Sequence, residues 1–174
     1  MSQPQNADPS TAAQGLLSRL GILQMPTPVE KIAKALGAVV RFSPFDMELS
    51  GMIHIKDGVI IIGVNSLHHP NRQRFTIAHE LGHLELHRDM ITSNVHVDKN
   101  FPGLMRDAVS ATGKERIEIE ANQFASELLM PRLFIDQALA GKQFDIDDSG
   151  PIEELAKKFK VSKQALEYRI RNRI

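Results

Sequence analysis

Residues 72–87 read RQRFTIAHELGHLELH, and within them His79, Glu80, Leu81, Gly82 and His83 spell H-E-x-x-H. On an α-helix, residues four apart lie about 40° apart around the axis and about 6 Å apart along it. The imidazoles of His79 and His83 therefore project side by side and can grip one metal ion. Glu80 falls about 100° further round, where a carboxylate reaches a water on that ion rather than the ion itself. A metal ion lowers the pKa of such a water towards ~7, and the carboxylate accepts the proton. One helical turn thus offers a Lewis-acid site and a general base.

A bare H-E-x-x-H also recurs by chance on exposed helices whose histidines are ordinary polar residues, so the surroundings matter. Here the pattern predicts a helix over 71–87 that follows His69-Pro70-Asn71 and packs through Phe75, Ala78, Leu81 and Leu84. Gly82 costs such a helix about 1 kcal/mol relative to alanine, which is explained if another backbone or a substrate comes close there. His87 continues the row, but histidines at 79, 83 and 87 span ~12 Å of helix while Zn–N bonds are only ~2.1 Å. All three cannot converge on one ion, and His87 is read as a cap at the negative end of the helix macrodipole.

The chain has 174 residues, 42% hydrophobic and 24% charged, with a formal net charge of zero. That suits a soluble globular protein and argues against a general polyanion binder. There is no cysteine, so disulfides and thiolate ligands are excluded and a metal must use His, Asp or Glu. No apolar run approaches the ~20 residues that span a bilayer, and the first residues, MSQPQNADPSTAAQ, lack the basic and apolar regions of a secretory signal. A cytoplasmic protein without membrane association is expected.

Upstream of the motif, residues 1–11 read as a disordered tail, followed by a short helix near Ala12–Leu20. Thr27-Pro28-Val29-Glu30 reads as a capping box opening a helix that Gly37 stops. Ala38–Phe42, Gly51–Lys56 and Val59–Val64 read as strands, the last two joined by an Asp57-Gly58 hairpin turn. His54 is read as a packed or surface residue and His68-His69 as part of the loop leading into the motif helix.

Downstream, 89–114 shows no period and reads as a long loop, a lid or substrate wall; His96 within it has no feature of a ligand. Glu115–Met130 reads as a helix with a core stripe of Ile117, Ala121, Phe124 and Leu128. A third ligand needs a half-buried carboxylate beside that stripe. Glu118 lies on one flank, Glu120 and Glu127 on the other, and both flanks qualify by geometry. Glu118 is favoured because Asn122, four residues on, is placed to hydrogen-bond a ligating histidine, and Ala125 leaves space. Glu120 and Glu127 are read as a solvated face. A short helix near Pro131–Leu139, acidic residues Asp145, Asp147 and Asp148, and a Ser149-Gly150-Pro151 break come next. The last stretch, PIEELAKKFKVSKQALEYRIRNRI, reads helix, turn, helix, with Val161-Ser162 as turn and N-cap. Its seven Lys or Arg after residue 156 resemble a DNA-reading helix-turn-helix, but no arm or dimer element accompanies it, and solvated charges on a packing appendage are the preferred reading.

Taken jointly, RFTIAHELGHLELH, EIEANQFASELLMP and ELAKKFKVSKQALEYRIRN resemble the ImmA/IrrE family of bacterial metallopeptidases, over about residues 27–174. The resemblance implies His79 and His83 as metal ligands, Glu118 as the third, Asn122 as the orienting residue and Glu80 as catalytic base. It implies cleavage of a helix-turn-helix repressor that controls prophage, mobile-element or stress-response genes. With no further sensor segment in the sequence, the expected form is the minimal one.

The expected fold is α+β: a small antiparallel sheet, a two-helix zincin-like metal site resembling a minimal thermolysin-like core (12–140), and a helix-turn-helix-like C-terminal segment (141–174). Zn²⁺ is the expected ion, with Mn²⁺ compatible with the same donors. Val59–Val64 is a candidate edge for an extended substrate, and Tyr168 and His87 are candidate donors to a tetrahedral oxyanion. The rival readings are a DNA-binding regulator that reads duplex through Lys163, Arg169, Arg171 and Arg173, and a non-catalytic protein that sequesters a repressor, each keeping a structural metal.

Overall fold

In the computed structural model, which describes residues 8–93, 95–99, 113–140 and 150–172, Asp57 and Gly58 both take positive φ, 50° and 78°. That is the conformation of a two-residue hairpin whose twist matches its strands. It joins β2 (Leu49–Lys56) to β3 (Val59–Asn65) in antiparallel register, Lys56 opposite Val59. β1 (Ala38–Ser43) lies on the other side of β3 and runs parallel to it, from Ala38 opposite Ile60 to Ser43 opposite Asn65. β4 (His96–Lys99) closes the order β1-β3-β2-β4. The sheet is therefore mixed, not antiparallel as expected. Residue alternation marks which face is buried but not which way a neighbour runs, and the 44–48 connection steps across β3 to reverse that choice. Buried Asn65 fixes this crossover: its Oδ1 accepts from Phe45 N at 3.2 Å and its Nδ2 donates to Leu49 O at 2.8 Å. β3 is an interior strand, so an extended substrate cannot pair with it as the sequence had suggested; the sheet's edges are β1 and β4.

α1 (Pro9–Arg19) begins earlier than expected because Asp8 caps it, accepting from Thr11 N at 2.8 Å. Residues 1–7 lie outside the described residues. α2 (Val29–Ala35) stops before Gly37, whose φ is +78°. Its predicted capping box is not made. The Thr27 hydroxyl instead donates to Leu128 O at 2.8 Å, and Thr27 O accepts from Arg74 at 2.9 Å, tying three segments together.

α3 (Pro70–Leu86) starts where Pro70 and the preceding His69 direct: His69 Nδ1 accepts from Asn71 N at 3.1 Å. Nine consecutive residues, Thr76 to Leu84, are buried. A helix enclosed on all sides has neighbours on all sides, here β2, β3, α1 and α5 (Gly113–Leu129). The span 89–114, expected to be one loop, contains α4 (Arg88–Ser93) and β4 and runs into the start of α5. Of the 89–114 span read as a lid or substrate wall, residues 94 and 100–112 lie outside the described residues, as do Asp145, Asp147 and Asp148.

α5 carries the expected buried stripe of Ala121, Phe124 and Leu128, but its opposite flank is not solvated. Glu127 is 1% exposed and forms a buried ion pair with Arg169 on α8 (Lys163–Asn172). Glu127 Oε1 also accepts from Gln14 of α1 at 3.0 Å and from Arg132 N, at the start of α6 (Arg132–Leu139), at 3.1 Å. A helical wheel shows where Glu127 points, not that α1 and α8 arrive there. α7 (Gly150–Phe159) and α8 meet at a turn with Lys160 at φ 53°, and Ser162 caps α8 by accepting from Ala165 N at 3.1 Å. Arg169, one of the proposed duplex-reading residues, is thus buried. Lys163 pairs with Glu153 at 3.2 Å, and Arg173 lies outside the described residues. Among the described residues, no helix is long and apolar enough to cross a membrane.

Removing one partner of a buried ion pair strands the other charge, at a cost of about 3–5 kcal/mol, whereas replacing both by apolar groups is often neutral. Urea unfolding of Arg169→Met should show a loss in that range. The double variant Glu127→Leu/Arg169→Met should be more stable than the single one, and a double variant at least as unstable as the single would exclude stranding as the cause.

Candidate metal centre

Three elements meet at the site. α3 contributes His79 and His83, which its pitch sets side by side at i and i+4. α5 contributes Glu118 and Asn122. The helices approach closely at Gly82: a Cβ there would lie 3.1 Å from Ala121 Cα and 3.1 Å from Ala121 O. The helix-weakening glycine of the motif is therefore the contact that lets α5 bring a carboxylate to the histidines. β4 contributes His96. One donor atom from each of His79, His83, His96 and Glu118 lies within 4.8 Å of the others.

The hydrogen bonds around the imidazoles dictate where their protons sit. Asn122 Oδ1 accepts from His79 Nδ1 at 2.9 Å, so a neutral His79 carries its lone pair on Nε2. His87 Nε2 donates to Glu120 Oε2 at 2.9 Å, which leaves His87 Nδ1 as acceptor for His83 Nδ1 at 3.3 Å. A neutral His83 likewise presents a lone pair on Nε2. These two Nε2 atoms are 3.0 Å apart. Glu118 Oε2 is 3.2 Å from His79 Nε2, and Glu118 Oε1 is 3.6 Å from His83 Nε2 and 3.0 Å from His96 Nε2.

So many lone pairs converging in a buried space demand a positive centre among them. A proton serves one pair; four donors are the set that a metal ion takes. Zinc bonds of about 2.0–2.1 Å in a tetrahedron separate neighbouring ligand atoms by roughly 3.4 Å, close to the spacings found. The chemistry of the donors therefore fits a divalent ion.

The protonation states agree. Burial pushes His83 down to about 3, helped by His79 and His96 and opposed by Glu118, so at neutral pH it is an imidazole ready to ligate. Burial alone would raise the Glu118 carboxyl, but the imidazoles of His79, His83 and His96 outweigh it and hold the group well below the usual carboxylate range. Burial would raise Glu120 too, and His87 with Arg116, at 2.9 Å, lowers it.

The structure brings together His79, His83, Glu118 and Asn122, as the sequence suggested, and adds His96, which the sequence did not. His96 lies in a stretch without periodicity, and only the pairing of β4 with β2, Ile53 opposite His96, carries it to the site. Glu120, taken for a solvated residue, orients His87, which in turn touches His83. Glu80 is fully buried beside β2, where a Cβ on Gly51 would stand 3.4 Å from its Oε1 and 2.3 Å from Thr76 Cγ2. Only glycine fits there. His68 is held away from the site, its Nε2 3.3 Å from Met47 O, and His54 sits half-buried in β2. No described contact joins the half-buried Tyr168 to the four-residue cluster.

With this geometry in hand, comparison with known proteins is informative. Residues 33–171 match the family Peptidase_M78, described as IrrE N-terminal-like domain. The radiation response metalloprotease IrrE of Deinococcus radiodurans is 33% identical over 138 residues, covering 76% of this chain and 36% of that protein. A solved Mycobacterium tuberculosis transcriptional regulator has a similar fold, with a TM-score of 0.62 at 22% identity, over 94% of this chain and 46% of its own. The chain spans about a third of the length of the one and just under half of the other.

Titration calorimetry should find one tight Zn²⁺ site per chain. Residues that orient a ligating histidine are worth about 10–100-fold in metal affinity, so Asn122→Ala should weaken binding by that factor with the fold retained by circular dichroism. Unchanged affinity would exclude an orienting role.

Proposed function

The chain belongs to the Peptidase_M78 family of IrrE N-terminal-like domains, and from that premise we propose that it is a metal-dependent endopeptidase. The observation that carries the reading is the convergence of His79 Nε2, His83 Nε2 and the Glu118 carboxylate on a helix that also buries Glu80, the residue after His79. His79, His83 and Glu118 would hold the ion, with Asn122 and His87 fixing the two imidazoles. Zn²⁺ suits two imidazoles and a carboxylate, and Mn²⁺ is the alternative. When bound, the ion would supply a Lewis acid that acidifies water and polarises the scissile carbonyl.

The chain's own groups do the rest. Glu80 takes a proton at its carboxylate from the attacking water and returns it to the amine nitrogen as the C–N bond breaks. Water oxygen goes to the new carboxyl group, and the proton count balances. The buried setting keeps bulk solvent from the base and strengthens each electrostatic contact around it. By the resemblance to its family, we take the substrate to be a helix-turn-helix repressor and the outcome derepression of the genes it controls.

A non-catalytic reading has one observation in its favour: His96 offers a fourth ligand, as a structural site would have. Against it stands Glu80, a buried carboxylate beside the cluster that a structural ion does not need. The DNA-binding reading is weakened by the burial of Arg169.

The test is a cleavage assay on the repressor encoded beside the gene, with Zn²⁺- and Mn²⁺-loaded protein and with Glu80→Gln. The variant should keep its metal and lose at least ~10²-fold in rate, the lower end of a general base's contribution. An intact repressor in a stoichiometric complex, with full metal occupancy, would establish sequestration instead.

A further inference from the structure

We propose that His96 is a fourth protein ligand, carried to the metal by the edge strand β4, so that the resting site is closed. The proposal deepens the peptidase reading and rests on it. Three observations support it. First, His96 Nε2 is a buried nitrogen aimed at Glu118 Oε1 from 3.0 Å, in a geometry that falls short of a regular hydrogen bond. A cation among the donors would take the lone pair of the one and neutralise the charge of the other. Second, its ring centroid lies 4.0 Å from that of His83, tilted by 47°, so the two imidazoles are in direct contact without stacking flat. Third, its donor atom belongs to the same 4.8 Å group as those of His79, His83 and Glu118.

Two imidazoles and a carboxylate leave a tetrahedral ion one open position, which catalysis requires. A third imidazole fills it. His96 must therefore leave before water and a peptide carbonyl can both be served, and its placement suits departure. The other ligands come from two long helices, His79 and His83 within the buried run of α3. His96 comes from a four-residue strand that, among the described residues, is hydrogen-bonded to β2 alone, with an irregular register between Leu49 and Gly51. Its flanking residues Val95 and Val97 are exposed. Short edge segments of this kind sit at the low end of local stability. Detaching β4 uncovers the ion and, in the same step, exposes the β2 edge, where an extended peptide can pair in its place. Substrate binding and opening of the site become one event.

The full-length chain loaded with Zn²⁺ tests this without any variant: X-ray absorption at the zinc edge should count three imidazoles per ion, and a count of two would overturn the proposal. Chelator competition supplies the second arm. His96→Ala should bind Zn²⁺ at least ~10-fold more weakly, since even residues that only orient a ligand are worth that much. With Co²⁺ in place of Zn²⁺, its visible spectrum should differ from that of the parent. Equal affinity and an identical Co²⁺ spectrum would sink the idea. At saturating Zn²⁺, His96→Ala should cleave the repressor faster than the parent chain. Three imidazoles with no cleavage by either protein would keep the fourth ligand and refute the peptidase. Two imidazoles with cleavage by the parent would do the reverse.

Discussion

Like lone pairs cannot be left facing one another in a dry interior, and this fold makes two imidazoles do so across 3.0 Å. The constraint originates one shell outwards. Asn122 holds the proton of His79 on Nδ1, and Glu120, through His87, holds that of His83 on Nδ1. With both outer nitrogens committed, the inner ones have only a cation to turn to. Much of the architecture maintains that arrangement. Gly82 lets α5 come within van der Waals contact of α3, and Gly51 does the same for β2 against Thr76 and Glu80. Two glycines at backbone approaches set the width of the site. A methyl group on Gly82 would push α5 and its carboxylate away from α3, and one on Gly51 would press on Thr76 and Glu80.

Spacing within one helix is written in the sequence, and everything it governs was legible there. His79 and His83 share a face because they are four apart; Glu118 and Asn122 do so for the same reason. The step that failed was always between elements. Glu127 and Glu120 lie where the wheel puts them, but α8, α1 and His87 reach them from distant parts of the chain. His96 is three residues beyond a short helix, and its place in the cluster follows from a β2–β4 register that no local period encodes. The direction of β1 is a further case: alternation identified the strand and its buried face, but a parallel partner follows from the 44–48 crossover and its anchoring by Asn65. Thr27 shows local chemistry overruled. Its hydroxyl had a helix N-terminus to cap and took instead the Leu128 carbonyl, an acceptor at the end of the neighbouring α5.

The basic C-terminal helix shows how composition misleads about surfaces. Counting lysines and arginines after residue 156 suggests a nucleic-acid face. One of those arginines is 5% exposed and serves as the counter-ion that lets Glu127 be buried at the junction of α1, α5, α6 and α8. One of the lysines, Lys163, is paired to Glu153 across the α7–α8 turn. Buried Arg169 cannot also release counter-ions from a phosphate backbone, whereas Lys157, Lys158, Lys160 and Arg171 stay exposed. The helix reads more consistently as a clamp on the end of α5, the element that carries Glu118.

That clamp bears on the metal. Glu118 and Glu127 are nine residues apart on one helix, about 13.5 Å at the rise of an α-helix. A rigid helix transmits its position along its length, so the Arg169 ion pair and the Thr27–Leu128 bond at one end restrain where Glu118 stands at the other. The histidines are fixed on α3 by burial. The proposed ligands therefore divide by attachment: three belong to helices held at several points, and the proposed fourth to a four-residue strand that pairs, among the described residues, with β2. A centre with all its ligands rigid resists exchange; a centre with all of them mobile binds weakly. The proposed set of three fixed donors and one detachable donor would meet both demands, with tight binding at rest and one position that opens without loss of the ion.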